Sequence, residues 1–352
     1  MSTLPGGYSP KTNTIGRDGV QNFGEARNAM PGTAGGRRRR RRSAERQMVP
    51  DAEFTSYYGR PVLKASPWTA DIPGYLFLGG LAGGSALLGA GADLTDQPAL
   101  RRTARFGAVG AITASLVLLV HDLGRPSRAL NMLRVAKPTS PMSVGTWILT
   151  GFGPLAGLAA AGELSGLVPR GPLRRALILA DRPAGLAAAA LAPAVASYTA
   201  VLIADTATPS WHAGYRELPF VFVGSAAVAA GGLGMLGAPA EQAGAARRMA
   251  IGGALLELAA EQRMESSMGL AAEPLHQGIA GRLMRLSKAL TALGTLGTLF
   301  AGRDRRIGAV SGVALLAASA CTRFGIFHAG QQSARDPKYT VVPQRERLNA
   351  RR

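Results

Sequence analysis

The chain has 352 residues, 47% of them hydrophobic and 17% charged, with 46 glycines, one cysteine and a formal charge of +19. A single thiol, Cys321, cannot by itself hold a zinc site or an iron–sulfur cluster, each of which needs two or more thiolates, and four scattered histidines do not make an imidazole metal cage. So large a positive charge beside a mildly positive mean hydropathy means that charged and apolar sequence are segregated along the chain.

Residues 1 to 55 are rich in Gly, Pro, Ser and Asn and contain six consecutive arginines, Arg37 to Arg42, without apolar periodicity. This composition predicts a disordered basic extension. No apolar stretch of the kind found in an export signal follows the arginines, since residues 43–54 are polar and mixed. The arginine run suits contact with anionic lipid better than with nucleic acid, because no aromatic residues are interleaved with it.

From residue 72 onward, nearly uncharged segments recur, each bounded by Arg, Lys, Asp or Pro. A bilayer core of about 30 Å is crossed by about 20 such residues in a helix. Eight segments fit this pattern: 72–92, 106–123, 144–161, 184–204, 218–236, 249–260, 289–301 and 307–321, of which the sixth and seventh are short. Their richness in Gly, Ala and Ser suits close helix packing in lipid. A soluble helical protein would show amphipathic stripes with charges on the outer faces, whereas these segments are apolar all round. The expected architecture is therefore all-α: a polytopic integral membrane protein of about eight transmembrane helices over residues 56–325, with a basic C-terminal tail over 326–352.

An even number of spans puts both termini on one side. The loops after the first, third, fifth and seventh segments then carry 12 of the 40 Lys and Arg residues, and the side bearing the termini carries the other 28. The positive-inside rule favours cytoplasmic termini on this count, although the short loops alone, 9 against 12, lean the other way.

Ionisable groups within or just beneath a membrane are functional candidates by default. The second segment ends in His121, Asp122 and Arg125, and the first begins with Trp68, Asp71 and Tyr75. Tyr198 and Asp205 close the fourth, Glu257 and Glu261 lie near the end of the sixth, and Arg323 and His328 follow the eighth. All these ends fall on the face that bears the termini, while the opposite face offers mostly arginines and short polar turns. Acidic, phenolic and basic side chains beneath one face, under apolar walls, match the needs of a quinone head group. Its carbonyl oxygens accept from Tyr, His or Arg, and its redox protons need a carboxylate acceptor. The same residues also read as interfacial helix caps and belt aromatics, and Glu257 and Glu261 read either as a proton path or as caps. His121 and His328 do not read as haem ligands, since a membrane haem needs facing histidines inside two helices.

The string LVHDLGRPSRALNMLRVAKPTSPMSVGTWIL (119–149) resembles the signature of the NrfD and polysulfide reductase membrane-subunit family, and so does the tail FHAGQQSARDPKYTVVPQRERL (327–348). Similar stretches at 72–88, 197–227 and 257–265 extend the likeness to residues 55–348. The resemblance implies a protein without redox cofactors of its own (no haem, iron–sulfur cluster or metal). It implies exchange of electrons between a quinone pool, menaquinone in the first instance, and a ferredoxin-like iron–sulfur subunit that serves a molybdopterin-type catalytic subunit. Asp122 matches the family's acidic residue at the quinone site, and Tyr198 its tyrosine partner. The histidine or asparagine that the family carries early in its first helix has no counterpart, and Asp71 or Tyr75 stands in that region. The mechanism that follows has Tyr198 and His121 holding the carbonyls, Asp122 relaying protons and Arg125 orienting Asp122. Arg128, Arg134 and Lys137 become candidate docking charges for the partner. Two further readings are an ion-translocating transporter, which predicts an internal repeat with broken helices, and an anchor without a quinone site. Pro193 interrupts the fourth segment, and the second half shows no clear equivalent.

Overall fold

The computed structural model describes residues 61–351. The expected disordered extension over 1–55 lies outside the described residues. The described residues contain helices α1 (Asp71–Leu94), α2 (Pro98–Asp122), α3 (Arg128–Met132), α4 (Pro141–Glu163), α5 (Pro172–Ala204), α6 (Pro209–Ala213), α7 (Leu218–Gly237), α8 (Gly244–Met268), α9 (Gly278–Phe300), α10 (Arg305–Arg335) and α11 (Lys338–Ala350), with short 3₁₀ turns at Ser165–Leu167 and Gly269–Leu275. No strand occurs among them.

Local chemistry accounts for several of the boundaries. Five of the helices, α2, α4, α5, α6 and α7, carry Pro in their first two positions. There the missing N–H costs nothing and the fixed φ is already helical. The DLGRP turn ends α2 because Gly124 adopts φ 67°, a left-handed conformation open to glycine at little cost, and Pro126 follows two residues later. Pro183 and Pro193 lie inside the 33-residue α5, which neighbouring helices make tolerable.

Eight helices have 20 or more residues, and six of them, α1, α2, α4, α5, α7 and α10, are long and apolar enough to cross a membrane. The all-α, polytopic integral membrane architecture stands, with six such helices where eight were expected. The other two, α8 and α9, coincide with the short sixth and seventh segments. They are 25 and 23 residues long, but Glu257, Glu261, Arg263 and Glu265 interrupt the first and Arg282, Arg285 and Lys288 the second. Charge also misplaced two boundaries. Helix α5 begins at Pro172, so Arg174, Arg175, Asp181 and Arg182 are helical, and α10 runs past Cys321 to Arg335. The expected boundary at 325 falls inside that helix, because Thr322, Arg323 and Ser333 are buried within the bundle and keep it going.

The chain divides into two compact units, one of which is 65–333. In this unit α1 is the central helix, packed against α2, α5 and α7; α4 pairs with α5, and α7 with α8. Small residues allow the close approach. A Cβ on Gly84 would come within 2.6 Å of the Ala226 carbonyl oxygen on α7, and one on Gly312 would lie 2.5 Å from that of Gly232. The other unit, among the described residues, holds 61–64 and 334–351, and with the latter the 13-residue α11.

Candidate functional site

The ends of the helices define two polar regions. At one end the start of α1 meets the finish of α2. Asp71 Oδ2 lies 2.7 Å from His121 Nδ1, and Asp122 Oδ1 accepts from both the amide and the hydroxyl of Thr69, at 3.1 and 2.9 Å. The Thr69 hydroxyl also lies 3.2 Å from Asp71 Oδ2, so one threonine joins the two carboxylates. Thr69 is held in place by the chain before it. Trp68 stacks on Trp211 at 5.7 Å, Trp211 Nε1 donates to the Ile326 carbonyl at 2.8 Å, and Gln331 Nε2 donates to the Ser66 carbonyl at 3.0 Å.

One turn deeper on α1, Tyr75 is in hydroxyl-to-hydroxyl contact with Tyr198 of α5. Both rings are buried, at 2% and 7% exposure. The position of Tyr198 depends on Gly145 of α4, since any Cβ there would overlap the tyrosine ring. Ser115 of α2 donates to the Tyr75 carbonyl at 3.1 Å. Two buried phenols that each find a partner in the other are satisfied without a charge. Either hydroxyl could turn its hydrogen to a third oxygen.

A cavity of about 390 Å³ opens between α2 and α4 over α3, with walls that include Ile112, Leu116, Val120, Leu133, Thr146 and Leu149. Its size and apolar lining suit a small organic ligand. Neither tyrosine, nor Asp122 nor His121, lines it. Ile112 and Leu149 belong both to the cavity wall and to the core cluster that holds Tyr75 and Tyr198. Thr146 follows the glycine on which the Tyr198 ring rests.

The sequence-derived residues therefore fall into four sets. Asp71, His121, Asp122, Tyr75 and Tyr198 gather at one end of α1, α2 and α5. Arg125 lies beyond the end of α2 and is exposed; Asp122 takes its hydrogen bonds from Thr69, which the sequence reading did not single out. Arg128, Arg134 and Lys137 are exposed on the segment after α2. That segment is pinned through Val135, whose carbonyl accepts from Ser143 Oγ at 2.7 Å and Trp147 Nε1 at 3.3 Å. Glu257 and Glu261 are both 1% exposed in the middle of α8 rather than at its end, so they cap nothing.

The opposite end holds more than loop arginines. Glu163, the last residue of α4, accepts from Arg101 Nε at 2.7 Å and Arg105 Nη1 at 2.9 Å. Arg105 also pairs with Asp181 of α5, and Asp93 of α1 pairs with Arg101 at 3.1 Å and with Arg182 at 3.3 Å. Arg105 is 4% exposed. Sequence reading missed this network because Arg105 and Asp181 stood just outside the expected spans. The available signal was an acidic residue beside each of three neighbouring segment ends, facing a surplus of arginine.

No curated protein matches the chain. The family model described as polysulphide reductase, NrfD, matches residues 62–240, just over half of the chain, and includes all five residues gathered around Tyr75 while ending before Glu257. On that match, the chain belongs to the NrfD, polysulphide reductase, family.

Proposed function

We propose that this chain is the quinone-binding membrane subunit of a multi-subunit oxidoreductase. In this reading it passes electrons between the quinone pool, menaquinone in the first instance, and a ferredoxin-like iron–sulfur subunit that serves a molybdopterin-type catalytic subunit. The family is one of membrane subunits of quinone-linked oxidoreductases. The observation that carries the proposal is the buried Tyr75–Tyr198 pair, one helical turn below the carboxylates of Asp71 and Asp122, in a fold that also offers an apolar cavity between α2 and α4.

The residues divide the work by chemistry. A quinone supplies a two-electron, two-proton couple. Tyr198 or Tyr75 donates a hydrogen bond to a carbonyl oxygen, because each phenol can exchange its partner for a third acceptor. Asp122 accepts a proton at the face, and Thr69 fixes the carboxylate that does so. His121 and Asp71, 2.7 Å apart, share a proton and hold one more titratable site beside Asp122. The walls of Ile112, Leu116 and Leu149 take the apolar part of the molecule and exclude water. A redox partner has to approach the same end to shorten the electron path, and Arg128, Arg134 and Lys137 offer it exposed positive charge. With cytoplasmic termini, that partner is cytoplasmic and the bilayer is the cell membrane.

Binding of a quinone analogue to the purified chain, together with extraction of co-purifying quinone, tests the reading. Asp122→Asn and Tyr198→Phe are expected to weaken binding at least tenfold with the fold retained, in line with loss of one hydrogen bond to a buried or charged group. Unchanged binding in both variants, or no binding by the wild type, leaves the chain an anchor for soluble subunits.

A further inference from the structure

A second set of ionisable groups, on residues past 240 where the family match ends, runs into the half of the bundle formed by α7, α8, α9 and α10. It begins at the same end as Asp122, since the turn after α8 is tied to α6 through Ser210 Oγ and the Ala271 carbonyl, and α6 carries the tryptophan that stacks on Trp68. His276 Nε2 lies 3.6 Å from Glu265 Oε2, and Glu265 Oε1 accepts from Lys288 Nζ at 2.7 Å. The same Lys288 Nζ stands 3.8 Å from Glu261 Oε2. One turn further along α8, Glu257 Oε1 accepts from Thr322 Oγ1 at 2.8 Å. Side-chain exposure is 58% at His276, 21% at Glu265 and 40% at Lys288, and drops to 2% at Glu261.

The terminus of the series is a cation. Arg323 is 1% exposed, lies 3.6 Å over the Phe222 ring, donates Nη2 to the Phe222 carbonyl at 2.6 Å and acts electrostatically on Glu257. Its Nε and Nη1 have no hydrogen-bond partner among the described residues, and neither has Glu261 Oε2. A static ion pair buried at this depth is held by full, preferably bidentate, hydrogen bonding. Lys288 instead bonds Glu265 and only approaches Glu261. Two carboxyls one helical turn apart, both out of water, do not readily stay ionised together, and a shared proton relieves the repulsion. The charged groups that act on the pair are Glu265 on α8, Lys288 on α9 and Arg323 on α10, with Ser225 on α7 and Thr322 adding hydroxyls.

We propose that Glu261 and Glu257 form a proton-exchange site, fed from the Asp122 end through His276, Glu265 and Lys288, with Arg323 as its fixed counter-charge. The Lys288 ammonium gives one proton to the Glu261 carboxylate and recovers one from Glu265 or His276, which draw on water. Glu261 passes its proton to the Glu257 carboxylate and is ionised again. Only protons move, and arrival at Glu257 leaves the charge of Arg323 unbalanced. That charge touches α1: a Cβ on Gly80 would lie 3.0 Å from Arg323 Nη2. Gly80 is five residues from Tyr75, about 7.5 Å along the helix. Protonation of the glutamates is thereby coupled to the helix that carries Tyr75.

The test uses the full chain in lipid vesicles with dicyclohexylcarbodiimide, an apolar carbodiimide that adds to protonated carboxyls, read by peptide mass mapping. The adduct is expected on Glu261 or Glu257, to fall as pH rises, and to leave position 261 in E261Q. In parallel, the infrared carbonyl band of a protonated carboxyl is expected to shift in D2O, to weaken in E261Q, and to shift at least tenfold more slowly in K288M and E265Q. Absence of both adduct and exchangeable band overturns the proposal in favour of permanently ionised pairs. Protection from the carbodiimide by sodium ions at constant pH overturns it in favour of a metal-cation site. Quinone-analogue binding on the same samples is expected to survive in E261Q, so the two sites fail separately.

Discussion

The two ends of the α1–α2–α4–α5 group use the same kinds of side chain for opposite purposes. At the Arg105 end, Asp93, Glu163 and Asp181 meet the guanidiniums of Arg101, Arg105 and Arg182, and four helices are fastened together. At the Asp122 end the arginines at 125, 128 and 134 are exposed, and the carboxylates are held by a threonine and a histidine. A guanidinium fork saturates a carboxylate and removes it from further chemistry. A hydroxyl or an imidazole leaves the carboxylate with lone pairs to spare. Charge therefore locks one end of the bundle and leaves the other able to exchange hydrogen bonds and protons.

The contrast can be broken from the locked side. Arg105→Ala is expected to produce the largest effect, a loss of about 3–5 kcal/mol, because it strips a buried partner from two carboxylates at once. Thermal unfolding in detergent measures it. Arg102, whose side chain is 65% exposed and lies 3.7 Å from the same Glu163, sharpens the comparison, since Arg102→Ala is expected to change stability by less than about 0.5 kcal/mol. Equal effects at the two arginines would mean that burial is not what gives the network its strength.

Next in size come changes to packing and to the tyrosine pair. Gly84→Ala places a methyl group against the Ala226 carbonyl, and is expected to cost about 1–3 kcal/mol through overpacking. Tyr198→Phe leaves the Tyr75 hydroxyl without its partner, at about 1–3 kcal/mol, and loses quinone-analogue binding with it. Thr69→Ala is expected to leave the fold intact and to weaken that binding several-fold by releasing Asp122. A Thr69→Ala variant that binds as tightly as the wild type would show that Asp122 needs no positioning. The smallest effect on stability, below about 0.5 kcal/mol, is expected for Arg128→Ala, Arg134→Ala and Lys137→Ala. In a co-purification assay with the soluble subunits, the triple variant is expected to lose partner and to abolish the salt dependence of association.

Hydropathy along the chain is enough to give the class of protein. Long runs of uncharged, small and apolar residues have no stable arrangement except helices in lipid or in a large apolar core, so the membrane architecture and most of the helices were legible from hydropathy alone. The polar ends were legible too, because antiparallel neighbours must bring Asp71 to His121 and Tyr75 towards Tyr198. Helix ends were read too short wherever a charge intervened, at Arg105, Asp181 and Arg323. A charge stops an apolar run in sequence, whereas a helix continues through it once a partner is supplied from elsewhere. Those partners decide everything that was missed. Glu163 reaches Arg105 across 58 residues, Thr69 reaches Asp122 across 53, and Thr322 reaches Glu257 across 65. No local pattern records which residues will face one another at such separations. Which carboxylates are locked by arginine, and which have a hydroxyl or an imidazole for a partner, follows from the folded arrangement of helices far apart in sequence.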